Sequence, residues 1–411
     1  MNFELFIAKR IITGKEYQSN ISSPIIKIAT IAITLGIAIM LIAVSIAAGF
    51  QKKISDKMTG FKGHIQIVNY DTNNSDISTV PISKNQDFYP EFKNITGIKN
   101  VQVFANVGGI IRTPTDFEAI VFKGVSSDYD FSFFKEYLTQ GRLPNFNQNR
   151  NKEILISESI ASRLHFKLND TIQTLFSAEK SRLKYKMRKP IIVGIYNTGF
   201  EQFDKTMLIG DIREVRQINR WNEDQIGGFE VLIDDFEQLT EKGNEIYSTI
   251  GATLNSNTIT ENYPLIFEWI KLFDNNVWFI IGIMILIAGI NMITALLVLI
   301  LERVQMVGVL KALGSVNWSI QKIFLYNASY LILKGLFWGN LIGISILLIQ
   351  QYFEVISLNP ATYSVATVPV HINPLAVVLL NIGTLLLCFL MLIIPSYIIT
   401  KIQPSKSIKF A

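Results

Sequence analysis

Five basic residues recur at every second position in the middle of the chain: Lys180, Arg182, Lys184, Lys186 and Arg188. Because side chains alternate between the two faces of a strand, this spacing predicts a strand with five positive charges on one face. Such a face is typical of a solvated hairpin whose charges discourage edge-to-edge association. It is also typical of a docking surface for an acidic partner, with Arg182, Lys184, Lys186 and Arg188 as the binding residues.

The sequence lacks the patterns that support catalysis or cofactor binding. His64, His165 and His371 are isolated in the sequence, which contains no H-E-x-x-H motif and no cysteine cluster. A metal site is therefore not indicated. Gly14-Lys15 has no upstream glycine at the spacing of a phosphate-binding loop, and no G-x-S-x-G occurs. We therefore expect a non-catalytic chain without a metal ion or cofactor.

Residues 301–315, LERVQMVGVLKALGS, contain a second candidate binding element. Val304, Val307, Leu310 and Leu313 recur at three-residue spacing, which indicates a short amphipathic helix, and Gly314 is a typical residue to end it. The helix is either an interfacial membrane helix or a coupling helix that seats into a cytoplasmic partner. In the second case the binding residues are Glu302, Arg303, Val307, Gly308, Leu310, Lys311, Leu313 and Gly314.

This stretch lies between long apolar runs that must position it. With 49% apolar and 17% charged residues in a chain of 411, the composition is that of a membrane protein with room for a soluble domain. Lys334 interrupts the third run; we expect it to snorkel to the membrane interface, the alternative being a functional buried lysine. The runs predict transmembrane helices at 25–50, 275–301, 323–353 and 374–400, each long enough to cross about 30 Å of hydrocarbon.

Basic residues predict the orientation of these helices. Segments 1–27, 302–322 and 401–411 carry ten Lys or Arg against three acids, whereas the loop 354–373 carries no Lys or Arg. By the positive-inside rule, we expect three segments to be cytoplasmic. They are an amphipathic helix at 1–24, the coupling helix at 302–315 and the tail at 401–411. Residues 51–270 form a large external domain. The first run and its leader are too long for a cleaved signal peptide, and Cys388, in the fourth span, leaves the external domain without a disulfide.

The external domain alternates strand and helix patterns. Segments 51–126 and 211–270 predict an α+β subdomain of split βαβ kind, with a hairpin turned at residues 114–116 and helices at 86–95, 212–221 and 236–250. Between them, 127–210 predict an inserted β-rich subdomain. The fold class is therefore membrane α plus α+β: four transmembrane helices with a large periplasmic domain between the first two.

Several stretches resemble one family. ERVQMVGVLKALGS is similar to the coupling-helix signature of the FtsX-like permeases, the type VII ABC transporters, with Met306 where the family commonly has an acid. FIAKR near the start, IIVGIYNTGFEQFDKTMLI at 191–209, NPATYSVATVPVHINP at 359–374 and IIPSYIITKIQPSKSIKF at the end resemble the LolC/LolE lipoprotein-releasing permeases. The resemblance covers essentially the whole chain.

The resemblance implies a multi-pass inner-membrane permease that pairs with a second permease half, the same chain or a paralogue, and with a separate ABC ATPase. It implies a lipoprotein cargo, drawn sideways from the outer leaflet, and a periplasmic carrier that the hairpin would capture. Apolar faces of the first two spans are either a groove for the lipid anchor or ordinary helix packing. The candidate groove residues are Leu35, Ile39, Ile42, Ile46, Ile283, Ile287 and Ile290.

Two other functions fit the same pattern of elements. A MacB-like mechanotransmission efflux permease would need a separate ATPase, an adaptor and an outer-membrane channel. An FtsX-type regulator would signal to cell-wall hydrolases, although its external domain is usually much smaller. A bound lipoprotein, adaptor or hydrolase would distinguish the three; the sequence does not identify the cargo or the type of dimer.

Overall fold

The computed structural model describes residues 3–13, 22–71, 76–146, 152–177 and 185–402. Contacts between Cα atoms divide the chain into two units, which we call the membrane unit (residues 1–52, 269–357 and 367–411) and the sheet unit (residues 53–268 and 358–366). In the described residues the α-helices are α1 (Phe3–Thr13), α2 (Ser22–Lys62), α3 (Ser132–Glu136), α4 (Glu158–Arg163), α5 (Glu201–Asp204), α6 (Ile212–Asn219), α7 (Leu239–Thr249), α8 (Ile259–Asn262), α9 (Pro264–Glu302), α10 (Val304–Ala312), α11 (Asn317–Phe353), α12 (Pro360–Tyr363), α13 (Pro374–Ser396) and α14 (Ile398–Lys401).

The strands of the same described residues, with the exception of two short ones, belong to one mixed sheet. They are β1 (Ile65–Asn69), β2 (Ile82–Ser83), β3 (Ile98–Arg112), β4 (Phe117–Val125), β5 (Leu138–Gly141), β6 (Glu153–Ser157), β7 (Thr174–Ser177), β8 (Tyr185–Arg188), β9 (Ile191–Tyr196), β10 (Met207–Asp211), β11 (Gln225–Ile226), β12 (Gly228–Ile233) and β13 (Leu254–Thr258). A 3₁₀ turn, Phe236–Gln238, precedes α7.

In the described part of the chain, four helices are long and apolar enough to cross a membrane: α2, α9, α11 and α13 with its continuation α14. They confirm the four predicted transmembrane helices. The first three are 41, 39 and 37 residues long, which at about 1.5 Å per residue exceeds the hydrocarbon core. Lys334, near the middle of α11, is exposed on the helix surface.

Glycines at four-residue spacing bring α11 against α2. A Cβ atom on Gly335 would lie 2.8 Å from Cβ of Ile33, and one on Gly339 would lie 2.7 Å from Cβ of Ile37. Gly343 continues the row one turn further along. Because only hydrogen atoms fit at these positions, the two backbones approach closely, as they do at small-residue interfaces in membranes.

The sheet has the order β13-β1-β12-β3-β4-β10-β6-β9-β5, and β7 pairs with both β3 and β8. β4 pairs in parallel with β10 and β6 in parallel with β9, whereas β3 and β4 form an antiparallel hairpin. Its turn closes where Thr113 donates to the carbonyl of Asp116 at 2.9 Å, as predicted. Buried Lys123 of β4 donates to Phe61 O at the end of α2 and pairs with buried Glu230 of β12 at 2.7 Å.

One detail of the predicted external domain is wrong. Residues 86–95 form no helix, because Pro90 lacks an N–H and restricts the residue before it; Phe88 and Phe92 instead stack on each other with ring centroids 4.9 Å apart. The segment 127–210, predicted as an inserted β-rich subdomain, contributes β5 to β10. Its strands extend the common sheet, because β10 pairs along its whole length with β4.

Candidate functional site

The predicted coupling helix forms as α10, directly after α9. Its C-terminus is closed by two hydrogen bonds, from Gly314 N–H to Lys311 O and from Ser315 N–H to Leu310 O, both 3.0 Å long. This is the Schellman arrangement, which requires a positive φ at the residue after the cap. Gly314 has φ +89°, so its predicted role in ending the helix is confirmed.

One face of α10 packs inside its own unit. Val307 is 0% exposed and Leu310 9%, and Gly308 is buried beside them. Both apolar side chains belong to the core that the spans form around Phe324 of α11. Two of the four residues at three-residue spacing, Val307 and Leu310, therefore anchor the helix and are covered by the chain itself, whereas Leu313 of the same row is exposed.

Lys311 also points inward. Its ammonium donates to the carbonyl oxygens of Ile399 at 2.7 Å, Ile402 at 2.8 Å and Thr400 at 3.3 Å, at the end of α14. The last carbonyls of a helix have no partners within it, so a cation there satisfies them and the helix dipole together. Desolvation lowers the pKa of Lys311. The contact ties α10 to the last helix of the chain.

The opposite face of α10 and the turn after it expose large apolar side chains. Leu313 is 78% exposed, Val316 66%, Trp318 58% and Val309 49%. We call these four residues the outer patch. Of the predicted coupling residues, Leu313 and Gly314 lie on this exposed side and Glu302 is exposed at the end of α9, while Arg303 is half-buried at the start of α10.

The predicted groove residues lie on outward faces of the first two spans. Leu35, Ile39, Ile283, Ile287 and Ile290 are exposed, and Ile42 and Ile46 are half-buried. On α2 the same stripe continues to exposed Ile28 and Ile31. Each span thus presents an apolar face that its own chain leaves uncovered.

The described part of the basic hairpin is β8, and its basic residues are used within the chain. Lys186 donates to the carbonyls of Gln217 and Ile218 at 2.8 and 2.9 Å, at the end of α6. Arg188 pairs with the buried carboxylate of Glu214 at 3.0 Å. The exposed side chains of this strand are Tyr185 and Met187. Lys180, Arg182 and Lys184 lie outside the described residues.

Sequence reasoning assigned no role to a buried acid in the segment 191–209. The carboxylate of Asp204 accepts from the Thr198 hydroxyl at 2.8 Å and from the Thr198 N–H at 3.2 Å. Burial raises the pKa of Asp204 to about 6, against hydrogen bonds that favour its ionised form. In the sequence, the only indication of this contact is that Thr198 and Asp204 lie close together on either side of Gly199.

A second acid, Asp76, links the segment that enters the sheet unit from α2 to the segment that leaves it before α9. Its Oδ1 accepts from Lys62 Nζ at the end of α2 and from the hydroxyl of Tyr263 before α9, each at 2.7 Å. Nothing in the sequence pattern pointed to this contact. Among the residues that the structure describes, no three His, Cys, Asp or Glu side chains lie close enough to hold a metal ion.

Comparisons with known proteins match both parts of the chain. The family model "MacB-like periplasmic core domain" matches residues 28–246, just over half of the chain, and "FtsX-like permease C-terminal" matches 278–404. The chain is 20% identical over 419 residues to the lipoprotein-releasing system transmembrane protein LolE of Haemophilus influenzae, covering 99% of each chain. It is 23% identical over 401 residues to LolC of Buchnera aphidicola subsp. Schizaphis graminum, covering 95% of this chain and 94% of that protein. The crystal structure of the periplasmic region of MacB from Actinobacillus actinomycetemcomitans covers 52% of this chain and 97% of that one, with a TM-score of 0.34 and 18% identity.

Proposed function

We propose that this chain is the permease subunit of a lipoprotein-releasing ABC transporter. The chain belongs to the family with a MacB-like periplasmic core domain and an FtsX-like permease C-terminal region. In this role it extracts lipoproteins from the outer leaflet of the inner membrane and passes them to a periplasmic carrier. The observation that carries the proposal is the end-to-end similarity to proteins named LolE and LolC, which extends through both domains.

The proposed topology has both termini and α10 in the cytoplasm and the sheet unit in the periplasm. It is supported by the excess of Lys and Arg in the segments around α1, α10 and the C-terminus. Exposed Trp278 and Phe279 of α9 lie where interfacial aromatics occur, close to the start of the apolar stretch. The large domain then lies on the side where a lipoprotein carrier operates.

The outer patch is the proposed docking surface for a separate ATPase. Leu313, Val316 and Trp318 expose apolar area on a helix whose other face is fixed by the core, and contiguous exposed apolar area marks protein interaction sites. Glu302, Arg303 and Gly314 border the patch. The permease itself is non-catalytic in this proposal, and the partner hydrolyses ATP.

The uncovered faces of α2 and α9 are the proposed site of the cargo's lipid anchor, together with the second permease half. Exposed Leu35, Ile39, Ile283 and Ile287 supply apolar surface at membrane depth. A lipid anchor gains about 0.8 kcal/mol for each methylene that it buries. The second half, the same chain or a paralogue, would close the groove.

Carrier binding at the hairpin needs residues other than those that β8 uses internally. Lys186 and Arg188 are committed to α6, so we assign the contact to Tyr185, Met187 and the basic residues Arg182 and Lys184. Exposed aromatic and methionine side chains are enriched at protein interfaces.

Efflux is the second candidate, because the matching domain is described as MacB-like. Purification of the full-length protein in mild detergent, followed by mass spectrometry, separates the two functions. Lipoprotein release predicts an ATPase and acylated lipoproteins in the sample, and addition of ATP and a periplasmic extract should release the lipoproteins. Recovery of an ATPase with an adaptor protein and no acylated lipoprotein would instead support efflux.

A further inference from the structure

An apolar cavity of about 420 Å³ lies among three spans of the membrane unit, a volume typical of ligand sites. Its walls come from α2, α9 and α13. Nothing in the coupling helix or the groove makes use of it. The lining residues are Val44, Ala47, Ala48, Gln51, Asp274, Val277, Trp278, Ile281, Ile285, Ala376, Leu379, Leu380, Gly383, Thr384 and Leu387.

Small side chains on facing helices leave the space open. Ala47 and Ala48 line it from α2, and Ala376 and Gly383 line it from α13. A Cβ atom built on Gly383 meets no atom within 4 Å. Because Trp278, Leu379 and Leu387 line the space and are themselves exposed, it is an apolar cleft open at the surface of the spans, where a membrane lipid has access to it.

The cavity and the predicted cargo groove are on opposite sides of the same helices. At about 100° per residue, Val44 and Ala48 lie across α2 from Leu35 and Ile39. On α9, Ile281 and Ile285 lie across from the groove's Ile283 and Ile287 by the same rule. An occupant of the cavity is therefore distinct from cargo in the groove.

The depth of the cavity matches one leaflet. It follows α9 from Asp274 to Ile285 and α13 from Ala376 to Leu387. Eleven steps of a helix span roughly 16 Å, about half of the 30 Å hydrocarbon core. Because Asp274 and Ala376 both lie at the periplasmic ends of their spans in the proposed topology, the cavity opens toward the outer leaflet.

The mouth of the cavity is polar, and a basic residue lies within reach of it. Gln51 Nε2 donates to Asp274 Oδ1 at 2.6 Å, which fixes the carboxylate at the rim. Asp274 is exposed, and exposed Lys271 precedes it by three residues, so both lie on one face of α9. A ligand at this mouth meets a carboxylate and an ammonium about one helical turn apart.

We propose that this cavity binds one acyl chain of a membrane phospholipid with a zwitterionic, primary-amine headgroup. The chain fills the apolar space, the ammonium of the headgroup pairs with Asp274, and its phosphate pairs with Lys271. An anionic lipid without an amine would place its charge against Asp274 and gain only the contact with Lys271. The site uses the proposed membrane orientation but does not depend on which cargo is transported.

Native mass spectrometry of the full-length protein, titrated with dioleoyl phosphatidylethanolamine or dioleoyl phosphatidylglycerol, tests the proposal. We expect Gly383→Leu, which puts a side chain into the open space, to weaken phosphatidylethanolamine binding about tenfold, since it displaces several buried methylenes. Gly282→Leu is the matched control, because a Cβ there also meets no atom within 4 Å and Gly282 is exposed on α9 outside the cavity. Asp274→Asn keeps an acceptor for Gln51 and should lower the preference for phosphatidylethanolamine over phosphatidylglycerol about fivefold.

Equal lipid binding by wild type, Gly383→Leu and Gly282→Leu would overturn the site. Equal affinity of the wild-type protein for the two phospholipids would overturn the headgroup assignment, and so would a preference that Asp274→Asn leaves unchanged. Recovery of an acylated protein in the cavity, lost on Gly383→Leu, would assign the site to cargo and also overturn the proposal. A Gly383→Leu variant that loses the lipid yet still binds the ATPase shows that the membrane unit remains folded.

Discussion

The predicted coupling helix α10 and the hairpin strand β8 were both singled out by evenly spaced residues, and each uses two or more of those residues internally. In α10, Val307 and Leu310 face the core, and in β8, Arg188 pairs with Glu214. Each element also has a lysine, Lys311 or Lys186, that donates to the last carbonyls of another helix. In β8 the exposed residues Tyr185 and Met187 lie between the evenly spaced ones, whereas in α10 the evenly spaced Leu313 is itself exposed.

The two elements differ in what holds them. Buried apolar side chains hold α10, and a Schellman turn fixes its end, so its outer patch is a preformed surface. β8 is an edge strand that pairs with β7 and is held to α6 by charged groups. Regular spacing therefore identified residues that pack within the chain in both elements, and the exposed residues lie between them in β8 but include the last member of the row, Leu313, in α10.

Leu310→Glu should have the largest effect, because it places a charge in the core. We expect a loss of at least about 4 kcal/mol in the free energy of unfolding, from the lost apolar burial and the unpaired charge. The measurement is the amount of folded protein in membranes and its melting temperature in detergent. Leu313→Glu is the matched control on the outer patch and should leave both unchanged; equal loss in the two variants would refute the two-faced description of α10.

The double variant Val309→Glu, Leu313→Glu should weaken ATPase binding about 100-fold without unfolding the protein. Loss of two exposed apolar contacts at an interface core, with charges put in their place, costs about 2 to 3 kcal/mol. Binding of the purified ATPase to the permease in nanodiscs measures the effect. Val355→Glu, at an exposed apolar residue beyond the other end of α11, is the control and should bind normally.

Arg188→Leu should destabilise the sheet unit by about 2 kcal/mol, since it removes the ion pair between Arg188 and the buried carboxylate of Glu214. Adding Glu214→Gln should recover part of that loss, as expected for coupled partners. Tyr185→Ala, on the exposed side of the same strand, should not change stability. Chemical denaturation of the full-length protein gives the three values, and an additive double variant would contradict the pairing.

The pH dependence of the sheet unit should be the most gradual effect. Because burial raises the pKa of Asp204 to about 6, the folded state holds a proton that the unfolded state releases near pH 4. Stability that is present below pH 4 is therefore lost as pH rises to about 6, by at most about 1.4 kcal/mol per pH unit. Asp204→Asn should flatten this fall. An identical slope in wild type and variant, from denaturation at pH 4 to 7, would contradict it.

Much of the architecture followed from the sequence. Apolar runs gave the four spans because no soluble element needs twenty uncharged residues, and the β3–β4 hairpin followed from two strand patterns around Pro114. Gly314 was correctly predicted to end α10, because few residues other than glycine adopt the positive φ that this helix end requires. These are local signals that tertiary contacts reinforce.

Contacts between distant segments could not be predicted in the same way. The apolar residues of α10 indicate that Leu310 is covered, but they do not indicate which element covers it. Only the fold shows that α11 and the other spans do so. The helix predicted at 86–95 failed because stacking of Phe88 on Phe92 stabilises an irregular segment around Pro90. The four-residue spacing of Gly335 and Gly339 was a readable signal for close helix packing that sequence analysis left unused.

Site-specific photo-crosslinking in cells tests whether the outer patch of α10 contacts an ATPase. A photoreactive amino acid replaces Leu313 or, in a second strain, Val309, with position 355 as the control on the other side of the membrane. We expect crosslinks from positions 313 and 309 to one cytoplasmic ATPase, identified by mass spectrometry, and none from position 355. Crosslinks from both outer-patch positions to lipid alone, with the ATPase present, would contradict it and make α10 an interfacial membrane helix.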